Sequence, residues 1–166
     1  MNDFIYNQRQ IPKDQWRYGL RSSAATGCGW IATYNALRLL GYKADPEELI
    51  RYYEFHFPVI NGNFGTFITE PVIFFRKKGF NVRTSVKLSE FDDIVKNSGA
   101  CILFFFWMRK GRFGGHYVTV HYEDGRFIGY NTFSNSAGPD NYGKSLSEFI
   151  KKRKYFGCML ISINKK

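Results

Sequence analysis

The sequence predicts an α+β fold, and three features predict it: helical periodicity through the first half, strand alternation through the second, and one strong hairpin signal, "EDGR", near the middle of that second half. At 166 residues the chain is the size of one domain, spanning 1–166, and is long enough to bury a core without covalent staples. Hydrophobic residues make up 44% and aromatic residues 19%, which excludes a disordered chain. No internal repeat, low-complexity tract or linker divides it.

The first helix is expected in "TGCGWIATYNALRLLG". From Cys28 to Leu40 it is apolar on nearly every face, so it should lie buried at the centre, with Thr26 as N-cap and Gly41 as stop. "ADPEELIRYYEF" has Asp45 as N-cap, Pro46 at the first helical position and Glu47 and Glu48 in the first turn. A third helix runs through "EPVIFFRKKG" to Gly79, followed by a strand, "FNVRTSV", and a helix, "LSEFDDIVKN", opened by Ser89. "ACILFFFWM" reads as a fully buried strand, and "HYVTVHYEDGRFIGYNTF" as a hairpin about Asp124–Gly125. "SLSEFIKKRK" is a late helix and "YFGCMLISIN" a last strand, which makes the sheet mainly antiparallel.

Composition also narrows the function. The opening "MNDFIYNQRQ" has an acidic residue and no apolar stretch of signal-peptide length, and the longest apolar run is far short of the ~20 residues that span a bilayer. A soluble, cytoplasmic protein without a membrane span is expected. Cys28, Cys101 and Cys158 form no CxxC pair, which argues against a disulfide framework and a zinc site, and no phosphate loop or other cofactor motif is present. Lys and Arg total 24 against 14 acidic residues, giving +10. The only basic clusters, "FRKKG" and "KKRK", end expected helices and complement their dipoles, so nucleic acid is not an expected partner. The net charge favours encounter with acidic substrates, a statement about rates and not specificity.

A cysteine between two glycines at the mouth of a helix is compatible with plain packing or with nucleophilic chemistry. The helix start offers free N–H groups and a partial positive charge that favour thiolate and can hold an oxyanion, while flanking glycines let a substrate backbone approach. Chemistry requires a base. His56 sits in a Phe-rich helix end, and His121 points to the opposite strand face from His116. His116 follows "FGG", so it is the best-placed base. The hairpin returns Asn131 beside it; an asparagine there is either a turn former or the group that fixes the imidazole tautomer.

Together, "TGCGWIATYNALRLLG" and "GGHYVTVHYEDGRFIGYN" resemble the papain-like cysteine peptidases, in particular the bacterial branch similar to bacteriocin double-glycine leader peptidases (peptidase C39-like). The resemblance implies a papain-like fold, with a buried central helix packed on the sheet. It implies Cys28 as nucleophile, His116 as general base and later acid, and Asn131 as orienting residue. The family commonly places an oxyanion-binding glutamine shortly before the nucleophile. Ser22 stands at that position and Gln15 is the nearest glutamine, so these two are the oxyanion candidates. Gly29, Trp30 and Gly115 are the candidate substrate-binding residues, with Tyr18 as a further aromatic that either lines the cleft or packs in the core.

The resulting expectation is a thiol hydrolase, a peptidase or amidase acting on a peptide or amide substrate through an acyl-enzyme, without metal or cofactor. The displaced glutamine motivates a second expectation, an impaired member that binds peptide without cleaving it. An acyltransferase on the same fold, or a cell-wall amidase of the NlpC type, shares the order of Cys and His.

Overall fold

A computed structural model describes residues 4–56 and 65–166, and most element boundaries in it follow the capping chemistry of the sequence. A two-stranded ladder, β1 (Arg17–Tyr18) with β2 (Arg21–Ser22), leads through the single turn α1 (Ser23–Thr26) into α2 (Cys28–Leu39). The N-cap of α2 is Gly27 and not Thr26, which instead closes α1 and leaves its hydroxyl without a partner. At the other end Gly41 adopts φ 80°, and the N–H groups of Gly41 and Tyr42 close a Schellman motif on the carbonyls of Arg38 and Leu37.

Helix α3 (Pro46–Phe55) is capped as expected, the Asp45 carboxylate accepting from the Glu47 N–H at 2.8 Å. Helix α4 (Glu70–Lys77) ends before Gly79, which turns at φ 88° into β3 (Asn81–Ser85). A 3₁₀ turn over Leu88–Glu90 delays the next helix, so α5 (Phe91–Lys96) starts after Glu90 and not at Ser89. Strands β4 (Ala100–Arg109), β5 (Arg112–Glu123), β6 (Arg126–Tyr130) and the short β7 (Asp140–Gly143) follow. Helix α6 (Leu146–Arg153), capped by the Ser145 hydroxyl, and β8 (Phe156–Asn164) complete the chain.

The six-stranded sheet has the order β3-β8-β4-β5-β6-β7, with every neighbouring pair antiparallel. Asp124 and Gly125 both take positive φ, 49° and 78°, the paired left-handed geometry that the "DG" turn foretells. Strand alternation divides the core: Ile102, Phe104, Tyr117 and Ile161 pack with α2, α3 and α4, and Leu103, Phe105, Val118 and Leu160 with α5 and α6. β4 is buried from Ala100 to Phe105 but emerges into solvent, with Met108 at 65% exposure, so it is not buried throughout. Among the described residues no helix is long and apolar enough to cross a membrane, and no group of His, Cys, Asp or Glu could hold a metal ion.

Helix α2 is fixed where the site begins. Thr119 donates its hydroxyl to the Ala32 carbonyl at 2.8 Å, docking the helix on β5. Gly29 faces Thr66 so closely that a Cβ would lie 2.2 Å from Oγ1. Thr66 is β-branched and tied to the Tyr18 hydroxyl at 3.1 Å, so it has little freedom to withdraw. Gly29→Ala is therefore expected to destabilise the fold by ~1–3 kcal/mol through overpacking, and a companion Thr66→Gly substitution to restore part of that loss. Urea denaturation with an unchanged m-value checks this; a midpoint equal to wild type would contradict the close contact.

Candidate active site

The sulfur of Cys28 lies at the start of α2 against an unpaired edge of β5. Pairing of β5 with β6 stops at Thr119–Tyr130, because Asn131 turns the chain away in the left-handed region at φ 61°. The backbone N–H groups of Tyr117, two residues beyond the last pair, and of Cys28 and Gly29 act on the Cys28 sulfur. These three donors favour thiolate, but burial opposes them and is larger. With only 9% of the residue exposed, burial pushes the thiol up from its ordinary 9.0 to about 11.

His116 is the β5 residue paired with Phe105, whose ring meets the imidazole edge-on at 5.8 Å. Its Nε2 lies 2.6 Å from the main-chain carbonyl oxygen of Asn131. A carbonyl only accepts, so Nε2 carries the proton and Nδ1 keeps the lone pair. Burial lowers the imidazole pKa, with the Asn131 carbonyl acting weakly in the other direction. The Asn131 side chain is occupied elsewhere: Oδ1 accepts from the Gln8 N–H at 2.8 Å and Nδ2 donates to Gln8 Oε1 at 3.0 Å. Gln8 Nε2 in turn donates to the Ala24 carbonyl at 3.2 Å.

Cys28, His116, Asn131, Gly115 and Gln8 all line one cleft of about 580 Å³, walled by the aromatic rings of Phe105, Trp107, Phe133 and Tyr155. The other expected residues lie elsewhere. Gln15 is exposed in a turn closed onto Pro12, and Ser22 sits half-buried between β2 and α1; neither lines the cleft. Gly29 turns to Thr66, as described. Trp30 is fully buried, its indole N–H donating to the Ser23 hydroxyl at 3.1 Å and its ring edge-on to Trp16, and Tyr18 is likewise wholly in the core. The glutamine at the cleft is Gln8, for which no local pattern in the chain argues. Its only signal would have been a polar residue amid the aromatic "FIYNQ" segment.

At neutral pH Cys28 rests as a thiol and His116 as a neutral imidazole, so the cleft holds no standing thiolate–imidazolium ion pair. Two consequences are measurable. Alkylation of Cys28 by iodoacetamide should accelerate about tenfold per pH unit from pH 7 towards 10, with no plateau near 7; a fully reactive thiol at pH 6.5 would contradict the burial. Because the folded-state pKa is raised, the stability contributed by the Cys28 thiol is complete below pH 9 and lost as pH climbs through about 11, so Cys28→Ala should flatten the alkaline limb of a stability curve. Cys101, wholly buried and raised to about 12, should label only on unfolding, whereas Cys158 is half-buried and not fully sealed.

No protein-family model matches the chain, and no curated protein matches it either. Among solved structures, it is similar to the peptidase domain of Streptococcus ComA, described as a bifunctional ABC transporter involved in a quorum-sensing pathway. The similarity has a TM-score of 0.54 at 16% identity and covers 84% of this chain and 91% of that domain. The chain has the fold of that peptidase domain, α+β with a mainly antiparallel sheet.

Proposed function

We propose that the chain is a cysteine peptidase in which Cys28 is the nucleophile, His116 the general base and acid, and Asn131 the residue that orients the imidazole through its carbonyl. The observation that supports this reading is a thiol and a tautomer-fixed imidazole opening into one cleft, on the fold of a known peptidase domain. Nδ1 of His116 takes the sulfhydryl proton as Sγ attacks the substrate carbonyl carbon, and the oxyanion meets the N–H of Cys28 at the helix start. Gln8 Nε2 has a second N–H beyond the one given to Ala24, and it is the better oxyanion candidate than Gln15 or Ser22. Collapse of the adduct expels the amine, protonated by His116, and leaves a thioester. Water, deprotonated by His116, then releases the acid and restores the thiol.

Incubation with a peptide library, read by mass spectrometry, tests the assignment. Cys28→Ala should abolish cleavage, His116→Ala should lower kcat by at least ~10³, and Gln8→Ala by ~10²–10³, the usual effect of removing one oxyanion donor. Asn131→Gly keeps both the carbonyl and the left-handed backbone, so it should retain far more activity than His116→Ala. Cleavage that survives Cys28→Ala would refute the assignment. The acid limb of kcat/KM should lie below pH 6.5, since burial lowers the His116 pKa and the neutral ring is the active form.

One observation favours a second reading, a peptide-binding protein without turnover: the thiol is 9% exposed and raised to about 11. A wild-type protein that binds peptides yet yields neither products nor a thioester adduct would establish that alternative.

A further inference from the structure

The polar rim of the cleft has one sign of charge. Arg9 comes from the 3₁₀ turn at Gln8–Gln10, Arg109 from the end of β4 and Arg153 from the last turn of α6, and all three line the cleft while no Asp or Glu does. Three unrelated parts of the chain thus deliver guanidinium groups to one concavity. Each is exposed, and among the described residues none of them pairs with a carboxylate. Asp140, which does not line the cleft, has its carboxylate accepting from the Ser136 hydroxyl at 2.7 Å.

Two of the three lie against aromatic side chains of the cleft wall. The Arg153 guanidinium lies over the Phe133 ring, its Cζ 4.5 Å from the ring centroid, a cation–π contact that restrains it beside the cleft. Arg109 lies near enough to Tyr155 to oppose the rise of its hydroxyl pKa, and the Tyr155 ring stacks on Phe105 at 3.9 Å, beside His116. A planar fork of donors fits carboxylate oxygens in a two-point contact. The cleft volume, about 580 Å³, suits a few residues of extended chain and not the long track of a nucleic acid.

We infer that this cleft takes an acidic peptide segment, with carboxylate side chains of the substrate held by Arg9, Arg109 and Arg153. The inference rests on the peptidase reading for the identity of the ligand as a peptide, but binding does not require turnover. The test uses fluorescein-labelled hexaglutamate and hexaglutamine, with anisotropy measured on the Cys28→Ala protein at low and moderate salt. Hexaglutamate should bind at least tenfold more tightly, and the advantage should shrink as salt rises. Arg109→Gln with Arg153→Gln should remove most of that advantage, whereas Lys77→Gln with Lys78→Gln, an equal loss of charge on α4 away from the cleft, should leave it intact. Equal affinity for the two peptides, equal effects of the two double variants, or stronger binding of oligo-dT that displaces hexaglutamate would each overturn the inference. Hexaglutamate binding without cleavage of acidic peptides by the wild type would defeat the peptidase reading and leave this one standing; cleavage of neutral and acidic peptides with equal kcat/KM would do the reverse.

Discussion

The parting of β6 from β5 at Asn131 is the constraint on which the site depends. While the strands run together, every main-chain group on that edge of β5 is consumed by the ladder. The left-handed turn at Asn131 frees the edge just where α2 arrives, so the Tyr117 N–H meets a sulfur and the Asn131 carbonyl meets an imidazole. One backbone excursion thereby creates both sides of the thiol–imidazole site. Asparagine suits the position because its short polar side chain tolerates positive φ and its amide has a partner in Gln8.

Electrostatics then sets the resting state. Three N–H donors act on the sulfur, yet removing water from a thiolate outweighs them, and the imidazole of His116 in the same cleft is held neutral by its own burial. A buried site in a medium of low polarity magnifies whatever charge a ligand introduces. The arginines of the rim stand exposed to water, where their field is screened, and Arg153 rests over the Phe133 ring. Reactive groups and charged groups therefore occupy different depths of one cleft.

Much of the frame was legible because it rests on local chemistry. The Asp45 cap, the Gly41 and Gly79 stops and the Asp124–Gly125 turn are each decided within a few residues, and the structure agrees with them. Thr26 and Ser89 were misread because a neighbouring single turn of helix, α1 in one case and a 3₁₀ turn in the other, moved the true helix start by one or two residues. Trp30 looked available for a substrate because an aromatic beside a nucleophile is ambiguous until the opposite face is known; α2 is buried all round, so it had no outward face there. Gln8 and the arginine trio were illegible for a different reason. Their meeting is made by long-range packing, with no spacing in the chain that announces it.

The N-terminal segment acts as a strap across the molecule. Asn35, wholly buried in α2, exchanges two 2.9 Å hydrogen bonds with the backbone of Ile5, Asn7 reaches the Ser134 carbonyl at 2.9 Å, and Gln8 clasps Asn131. Phe4 and Tyr6 add ring contacts to Tyr130 at 4.7 and 5.9 Å. Recombinant versions trimmed to begin at the first regular strand would discard this strap, stranding two interior carboxamides whose desolvation costs about 1–3 kcal/mol apiece. Such a shortened protein would lose part of the wall of its own cleft, so a failed assay on it would speak of the trimming and not of the intact chain.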